Sequence, residues 1–414
     1  MTSLSQGPPP VPPLRVLMYG PGGTGGLAKY TYDLCDSLAD LVQLTLATSD
    51  HCAGNGNGKY SVHPIWQTPG SRLRNTPASG RISKLFAKAC LYSKRNISLV
   101  RYLKDHDKSL DIFHCQFFMP LIDWPSLLQA ERRLPVVFTV HNVNLQDPLW
   151  KATERLEESL LRKVLAHAAG LIVHSPGLVA PLREWLGDFS RPISCIPLGV
   201  PLPPTISAEP EWLTGARRRF EGKFVLLQFG GVRPVKGLEV LLEALTRLPD
   251  HVRRTTHLMV VGETAKRYAE YAQGCRDVIR TNHLEETVTW IDRYVGEEEL
   301  PSIFSRAHAA VFPYRNYLSS SAALSWAYAL RVPAIASNVG GLGEYVRRDE
   351  IGLCHQEGNA GDLAECIIRL QSDSGLRLQL RENLCRINRE GKYSWNRCAV
   401  LTESFYRQVL SATS

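Results

Sequence analysis

Two glycine-rich loops and one run of small polar residues carry most of the chemistry this sequence offers. The segment Phe229-Gly230-Gly231-Val232-Arg233-Pro234-Val235-Lys236-Gly237 brings two cations and a helix start into a short space after an apolar run. Arginine offers a planar fork of donors and lysine a compact point charge, which suits a diphosphate without a metal. A lone Arg and Lys in a loop are more often simply solvated. A second loop, Gly20-Pro21-Gly22-Gly23-Thr24-Gly25-Gly26, follows the apolar run Leu14–Tyr19. Backbone N–H groups at such a strand-to-helix turn can cradle a phosphate. Gly20, Gly22 and Gly25 also fit the dinucleotide-binding spacing, with Asp50 as a late acidic candidate; a tight structural turn explains the glycines equally well. In the third segment Ser319, Ser320 and Ser321 precede the helical stretch Ala323–Leu330. Serines there cap a helix, and the helix amides can also hold an anion.

These segments need elements to position them, and the pattern supplies an alternating series. Strand-like runs fall at Leu14–Tyr19, Val42–Ala47, Ile112–Cys115, Val136–Val140, Gly170–His174 and Ile193–Pro197, with helical stretches between several of them. Pro201–Glu211 has the composition of a linker, after which the alternation restarts. The second series is Phe224–Phe229, His257–Val261, Val288–Ile291, Ala309–Phe312 and Pro333–Ala336, with a helix near Leu238–Leu248. Strands separated by helices predict α/β domains with parallel sheets, and two such domains facing each other make a cleft. The expected division is a proline-rich disordered tail 1–13, a first domain 14–204, a second 205–392, and a C-terminal helix 393–414 that returns to the first.

Composition narrows the class. A chain of 414 residues with 44% hydrophobic and 21% charged residues is an ordinary globular protein of two domains. No run approaches the roughly 18–20 apolar residues of a membrane span, and the start lacks a signal peptide's apolar core, so a cytoplasmic location is expected. The ten cysteines stand singly with no C-x-x-C pair, which argues for reduced thiols and against a zinc site. The net charge is +8, and Arg72 to Lys108 alone holds ten Lys or Arg against two Asp. Within that stretch Ile82, Leu85, Phe86, Ala89 and Tyr92 share one helical face, and Arg81, Lys84, Lys88 and Arg95 lie opposite. Such a basic amphipathic helix over 81–95 can lie on an anionic membrane or meet a polyanionic acceptor, or be a solvated helix whose apolar face joins the core. Nothing points to nucleic acid.

Taken in order, the motifs resemble the glycosyltransferases of family 4, which have the two-domain GT-B fold of facing Rossmann-like domains. Gly25-Gly26-Leu27-Ala28-Lys29-Tyr30-Thr31 is similar to that family's G-G-x-x-R/K-Y-T opening, and Thr139-Val140-His141-Asn142 to its T-x-H-D/N strand end. Phe229 to Gly237 resembles its phosphate loop. Pro333-Ala334-Ile335-Ala336-Ser337, with Gly340-Gly341 and Glu344, resembles its P-V-I-A-S…G-G…E stretch, and Tyr393-Ser394-Trp395 with Tyr406 its terminal helices. The resemblance implies a retaining enzyme that moves a sugar from a nucleotide-diphosphate donor, UDP- or GDP-linked, to a saccharide or lipid-linked acceptor, with no metal. It implies that Arg233, Lys236, Gly237 and the amides of Ser319–Ser321 hold the diphosphate, with Gly25, Gly26 and Glu344 on the donor and Lys29 on the acceptor side. His141 would sit beside the donor sugar; as residues alone, a buried core histidine competes with that role. Members commonly carry two glutamates eight positions apart, one near the sugar and one on the ribose; the matching positions here are Leu318 and Trp326. The phosphate-loop arginine usually aligns with Gly231, two residues before Arg233.

Two functional classes follow. One is an active glycosyltransferase of polysaccharide or glycoconjugate synthesis, peripheral at the inner membrane face. The other is a catalytically weak GT-B protein acting as a binding or scaffolding partner, motivated by Leu318 and Trp326. A nicotinamide-dependent oxidoreductase would explain the first glycine loop but not the second, and no constellation supports a sugar-nucleotide epimerase.

Overall fold

The computed structural model describes residues 12–20, 22, 23, 25–52, 58–66, 81–143, 151–187, 189–204 and 209–413, the side chains of 81–91 and 151 excepted. The proline-rich start to residue 11, the basic stretch 72–80 and the side chains of Lys84 and Lys88 lie outside what is described.

Two parallel sheets organise the chain. The first contains β1 (Arg15–Tyr19), β2 (Gln43–Ser49), β3 (Ser61–Trp66), β4 (Ile112–Cys115), β5 (Val136–Thr139), β6 (Gly170–Val173) and β7 (Ile193–Cys195), in the order β3-β2-β1-β4-β5-β6-β7. The second contains β8 (Phe224–Phe229), β9 (Thr256–Val261), β10 (Val288–Ile291), β11 (Ala309–Phe312), β12 (Ala334–Ser337) and β13 (Gly352–His355), in the order β10-β9-β8-β11-β12-β13. Central strands such as Val-Val-Phe-Thr (β5) and Thr-His-Leu-Met-Val-Val (β9) are buried at every position, because helices cover both faces of each sheet. The order in which strands are added to each parallel sheet reverses beside its first strand, between β1 and β4 and between β8 and β11. Those are the two points where an open sheet leaves a crevice for a ligand.

Two strands escape the sequence pattern, both at sheet edges. β3 exposes Ser61, His63 and Pro64, and β13 is the short segment Gly-Leu-Cys-His. An edge strand buries less surface and tolerates proline, so its apolar signal is weak.

The helix Trp395–Thr413 packs on the first domain, adding Cys398, Ala399, Phe405, Tyr406 and Val409 to the core beneath β1, β2 and the helix Gly26–Leu38. Its approach is pinned at Asp349, whose carboxylate accepts from the hydroxyls of Tyr328 (2.5 Å) and Tyr393 (2.6 Å) and from Lys392 Nζ (2.7 Å). Those donors hold the Asp349 carboxyl below the usual carboxylate range against the cost of burial. The nine described cysteines are all free thiols.

Helical spacing puts Arg95 with Lys84 and Lys88 on a basic outer face; the structure instead buries it, at 8% exposure. Arg95 pairs with Asp123 at 3.0 Å, donates through Nε to the Tyr19 hydroxyl at 2.7 Å, and lies 4.5 Å from the Trp66 ring centroid. Periodicity missed this because its partners come from β1, β3 and the helix Pro120–Glu131. Removing one member of a buried pair leaves an uncompensated charge, so Arg95→Ala should lower stability by about 3–5 kcal/mol. Urea unfolding followed by fluorescence measures the loss, and a wild-type midpoint would contradict the assignment.

Candidate active site

The second domain supplies a cation held between two loops. After β8 the chain makes a short 3-10 turn, Pro234–Lys236, and Gly237 follows in the left-handed region at φ 64°. A Cβ there would stand 1.9 Å from the Pro313 carbonyl oxygen, so only glycine lets the loop after β8 meet the loop after β11. That contact sets Lys236 against Tyr314. Its Nζ donates to the Tyr314 hydroxyl (2.5 Å) and lies 3.7 Å from that ring's centroid, with Tyr317 at 5.4 Å. A lysine in a loop is ordinarily solvated; Lys236 is half-buried instead, because these tyrosines cover it. Burial and the neighbouring charge of Arg233 push the Lys236 ammonium well below its ordinary pKa. The Tyr314 hydroxyl also meets Ser321 Oγ at 3.1 Å. Ser321 therefore does not cap the helix Ala322–Ala329, which begins with no side-chain cap and no acidic residue in its first turn.

The first domain presents a similar helix start. Gly25, at φ 112°, precedes the helix Gly26–Leu38, which also lacks a side-chain cap and an early acid. A Cβ on Gly26 would lie 3.7 Å from the Ala322 Cβ, so the N-termini of helices from opposite domains converge. Each carries partial positive charge and a set of N–H groups without helical partners. One turn further, Lys29 pairs with Asp33 (2.6 Å) and with Glu297 of the second domain (3.5 Å).

His141 marks the junction between the halves. Its peptide carbonyl accepts from the Ser319 hydroxyl, Asn142 and Ser319 form an antiparallel bridge, and Val143 N donates to the Leu318 carbonyl at 3.1 Å. Both ring nitrogens of His141 are engaged within the first domain, Nε2 by Gln116 (3.2 Å) and Nδ1 by His174 (3.1 Å). Burial drives the ring well below the normal histidine range. Leu318 packs its side chain against the first domain's core, and Trp326 is buried in the second. Glu344 reaches across the seam, accepting from Ser175 Oγ (2.6 Å) and from Gly177 N (2.9 Å).

Arg233, Lys236, Gly237, Ser319, Ser320, Ser321, Gly25, Gly26 and His141 thus gather along one interdomain seam, with Lys29 and Glu344 bridging it. Sequence reasoning missed Gln116, His174 and the role of Tyr314. Tyr314 sits within the same polar segment as the serines, but nothing local reveals that Lys236 lies against it. Among the described residues no cluster of three or more His, Cys, Asp or Glu suits a metal ion.

The family description "Glycosyltransferase Family 4" matches residues 24–202, and "Glycosyl transferases group 1" matches residues 214–385. The chain belongs to the family 4 glycosyltransferases. This glycosyltransferase is 27% identical over 409 residues to a D-inositol 3-phosphate glycosyltransferase of Pseudarthrobacter chlorophenolicus, covering 94% of this chain and 92% of the relative. It is 25% identical to a glycogen synthase of Mycobacterium tuberculosis, covering 95% and 94%. Among solved structures it shares the fold of sucrose-phosphate synthase from Thermosynechococcus elongatus (TM-score 0.71, 20% identity, 96% of this chain and 100% of that one). Anabaena HepE in complex with UDP is also similar (TM-score 0.68, 15% identity, 96% and 100%). The GT-B architecture expected from the motifs is the one observed.

The Gly237 contact yields a test of this glycosyltransferase's loop geometry. Gly237→Ala forces either a strained left-handed alanine or a displaced Pro313, at a cost of about 1–3 kcal/mol. Chemical denaturation reads the cost; an unchanged midpoint would show that the two loops do not depend on this approach.

Proposed function

We propose that the enzyme transfers a sugar, with retention, from a nucleotide-diphosphate donor on the second domain to a saccharide or lipid-linked acceptor on the first. The observation that carries this reading is the setting of Lys236. It is a cation packed on Tyr314, close to Arg233 and joined through the Tyr314 hydroxyl to Ser321 at an uncapped helix start. A diphosphate at this point would meet Arg233, Lys236 and the first-turn amides, which stabilise negative charge as the nucleotide leaves. The opposing turn at Gly25-Gly26 adds a second helix terminus, and Lys29 stands beside it on the acceptor side. These groups supply the countercharge that a metal would otherwise provide. UDP- and GDP-sugars are the donor classes to try first; HepE has been crystallised with UDP.

Lys236→Ala should retain a wild-type circular dichroism spectrum and lose about 100-fold or more in kcat/KM, the scale of removing one preorganised charge contact. Normal transfer by that variant would remove the diphosphate assignment. A thermal-shift series with UDP, GDP and their sugars identifies the donor, since a ligand that binds the native state raises Tm. A response to none of them would favour the scaffolding alternative.

The sign of the pH dependence follows from Lys236. Its pKa is lowered in the free enzyme, and a bound diphosphate favours the charged form, so binding takes up a proton wherever the free amine is neutral. Affinity for the nucleoside diphosphate should therefore weaken as pH rises through the lowered pKa. Calorimetry in buffers of different ionisation enthalpy checks the uptake.

We further infer a peripheral site on an anionic, inner-face membrane for acceptor pickup. No described helix is long and apolar enough to cross a membrane. On the helix Arg81–His106, exposed Lys94, Ile97, Arg101 and Lys104 recur at helical spacing along one stripe. This stripe takes the place of the set that included Arg95. Replacing Lys94, Arg101 and Lys104 by glutamine should weaken sedimentation with phosphatidylglycerol vesicles by about a hundredfold, at about 1 kcal/mol per residue; unchanged binding would exclude this stripe.

A further inference from the structure

A buried chain of hydrogen bonds crosses the first domain from the helix Trp395–Thr413 to the end of β7, and its directions can be worked out. It runs from the Tyr406 hydroxyl to His114 Nδ1 (2.6 Å), past the Gln116 amide to His141, from His141 to His174 (3.1 Å), and ends at the Ile196 carbonyl (2.9 Å). A carbonyl can only accept, so His174 Nδ1 carries a proton. A neutral imidazole then has a bare Nε2, which makes His141 Nδ1 the donor to it. His141 Nε2 is in turn bare and needs a donor, and Gln116 is what faces it.

The Gln116 amide lies 3.2 Å from His141 Nε2 at one end and 3.1 Å from His114 Nε2 at the other. With the amide oxygen toward His141, two acceptors would oppose each other. Turned over, the NH2 donates to His141 and the oxygen accepts from His114 Nε2–H. The turn gives up the weak N–H···S contact with Met18 Sδ at 3.3 Å, a smaller loss than leaving a buried imidazole nitrogen unpaired. His114 then has a bare Nδ1, and the Tyr406 hydroxyl is there to donate to it. Thr139 Oγ1, 2.8 Å from His114 Nε2, can accept the same proton.

Protonating His141 would reverse half the chain, so the charge of its surroundings matters. Tyr30 lies edge-on to His141 and His174 at 4.9 and 5.1 Å, Trp395 packs on Tyr30 at 5.2 Å, and the Tyr345 hydroxyl donates to the His174 carbonyl. His114 and Tyr406 also face the chain, with the thiols of Cys35 and Cys398 beside Tyr30 and Tyr406; among the described residues none of these groups is a carboxylate or a cation. Burial lowers His114 to about 3 and His174 to about 4. Both are thus neutral at neutral pH.

We propose that Gln116 and His174 are positioning residues for sugar transfer: they lock His141 as its Nδ1–H tautomer and so fix the peptide carbonyl that receives Ser319. The imidazole is thereby withheld from acid–base chemistry, because both nitrogens are engaged by fixed partners. The kinetic part rests on the sugar-transfer reading; the tautomer does not.

The test is nitrogen-15 NMR of the histidine side chains in the intact protein at neutral pH. The expected spectrum shows His141 and His174 as Nδ1–H and His114 as Nε2–H. Finding His141 as Nε2–H, or doubly protonated, would overturn the proposal whether or not the protein transfers sugar. In kinetics, His174→Leu should lower kcat about tenfold or more with donor KM within about twofold. His174→Gln, which keeps an acceptor for His141 and a donor for Ile196, should recover most of the loss. Gln116→Glu offers His141 Nε2 only acceptors and should move the His141 midpoint upward into the titratable range. Wild-type kcat in His174→Leu, or an unmoved His141 midpoint in Gln116→Glu, would count against the positioning role.

Discussion

The arrangement turns on a very short piece of β structure, the bridge between Asn142 and Ser319 with the Val143–Leu318 hydrogen bond beside it. Through it Leu318 and Ser319 of the second domain pair with the chain just beyond the end of β5. The junction fixes where the loop after β11 lies, and from that loop follow the setting of Lys236 on Tyr314 and the start of the helix Ala322–Ala329. It also explains Leu318. A side chain packed against the apolar core of the opposite domain is better apolar than charged. Interdomain packing thus accounts for an apolar residue at this position.

Around that junction the seam is polar but closely matched. Glu344 takes its donors from Ser175 and Gly177, Lys29 takes Glu297 across the gap, and Tyr345 donates to the His174 carbonyl. Contacts of this kind are directional, so they specify one relative placement of two domains whose cores are separate. Asp349 performs a comparable service behind the seam, tying the helix that carries Trp326 and Tyr328 to the segment Lys392–Tyr393 that leads back to the first domain.

Much of this was legible in the residues, for identifiable reasons. Strands such as β5 and β9 are buried on both faces and read as unbroken apolar runs. The loops at Gly20–Gly26 and Phe229–Gly237 announce themselves because glycine and charge are local signals. What could not be read are partnerships over long separations. Arg95 looked like a surface cation because Tyr19 and Asp123 are distant in sequence. Lys236 looked exposed because Tyr314 is 78 residues away. His141 was identified by its motif alone, while the groups that fix its ring, Gln116 and His174, lie 25 and 33 residues to either side with no spacing to mark them. Edge strands β3 and β13 failed for the opposite reason: they are local but too little buried to leave a pattern.

The returning helix Trp395–Thr413 has a consequence for how the protein is made. Gly170, at the start of β6, has no room for a Cβ because Phe405 and Val409 already occupy the space. The first domain's core is therefore completed by residues that leave the ribosome after the whole second domain. During synthesis the early strands must wait, partly uncovered, while a later domain folds as a unit. The order of translation and the order of assembly do not coincide in this chain, and its N-terminal half reaches its final packing only when the last turns of helix arrive.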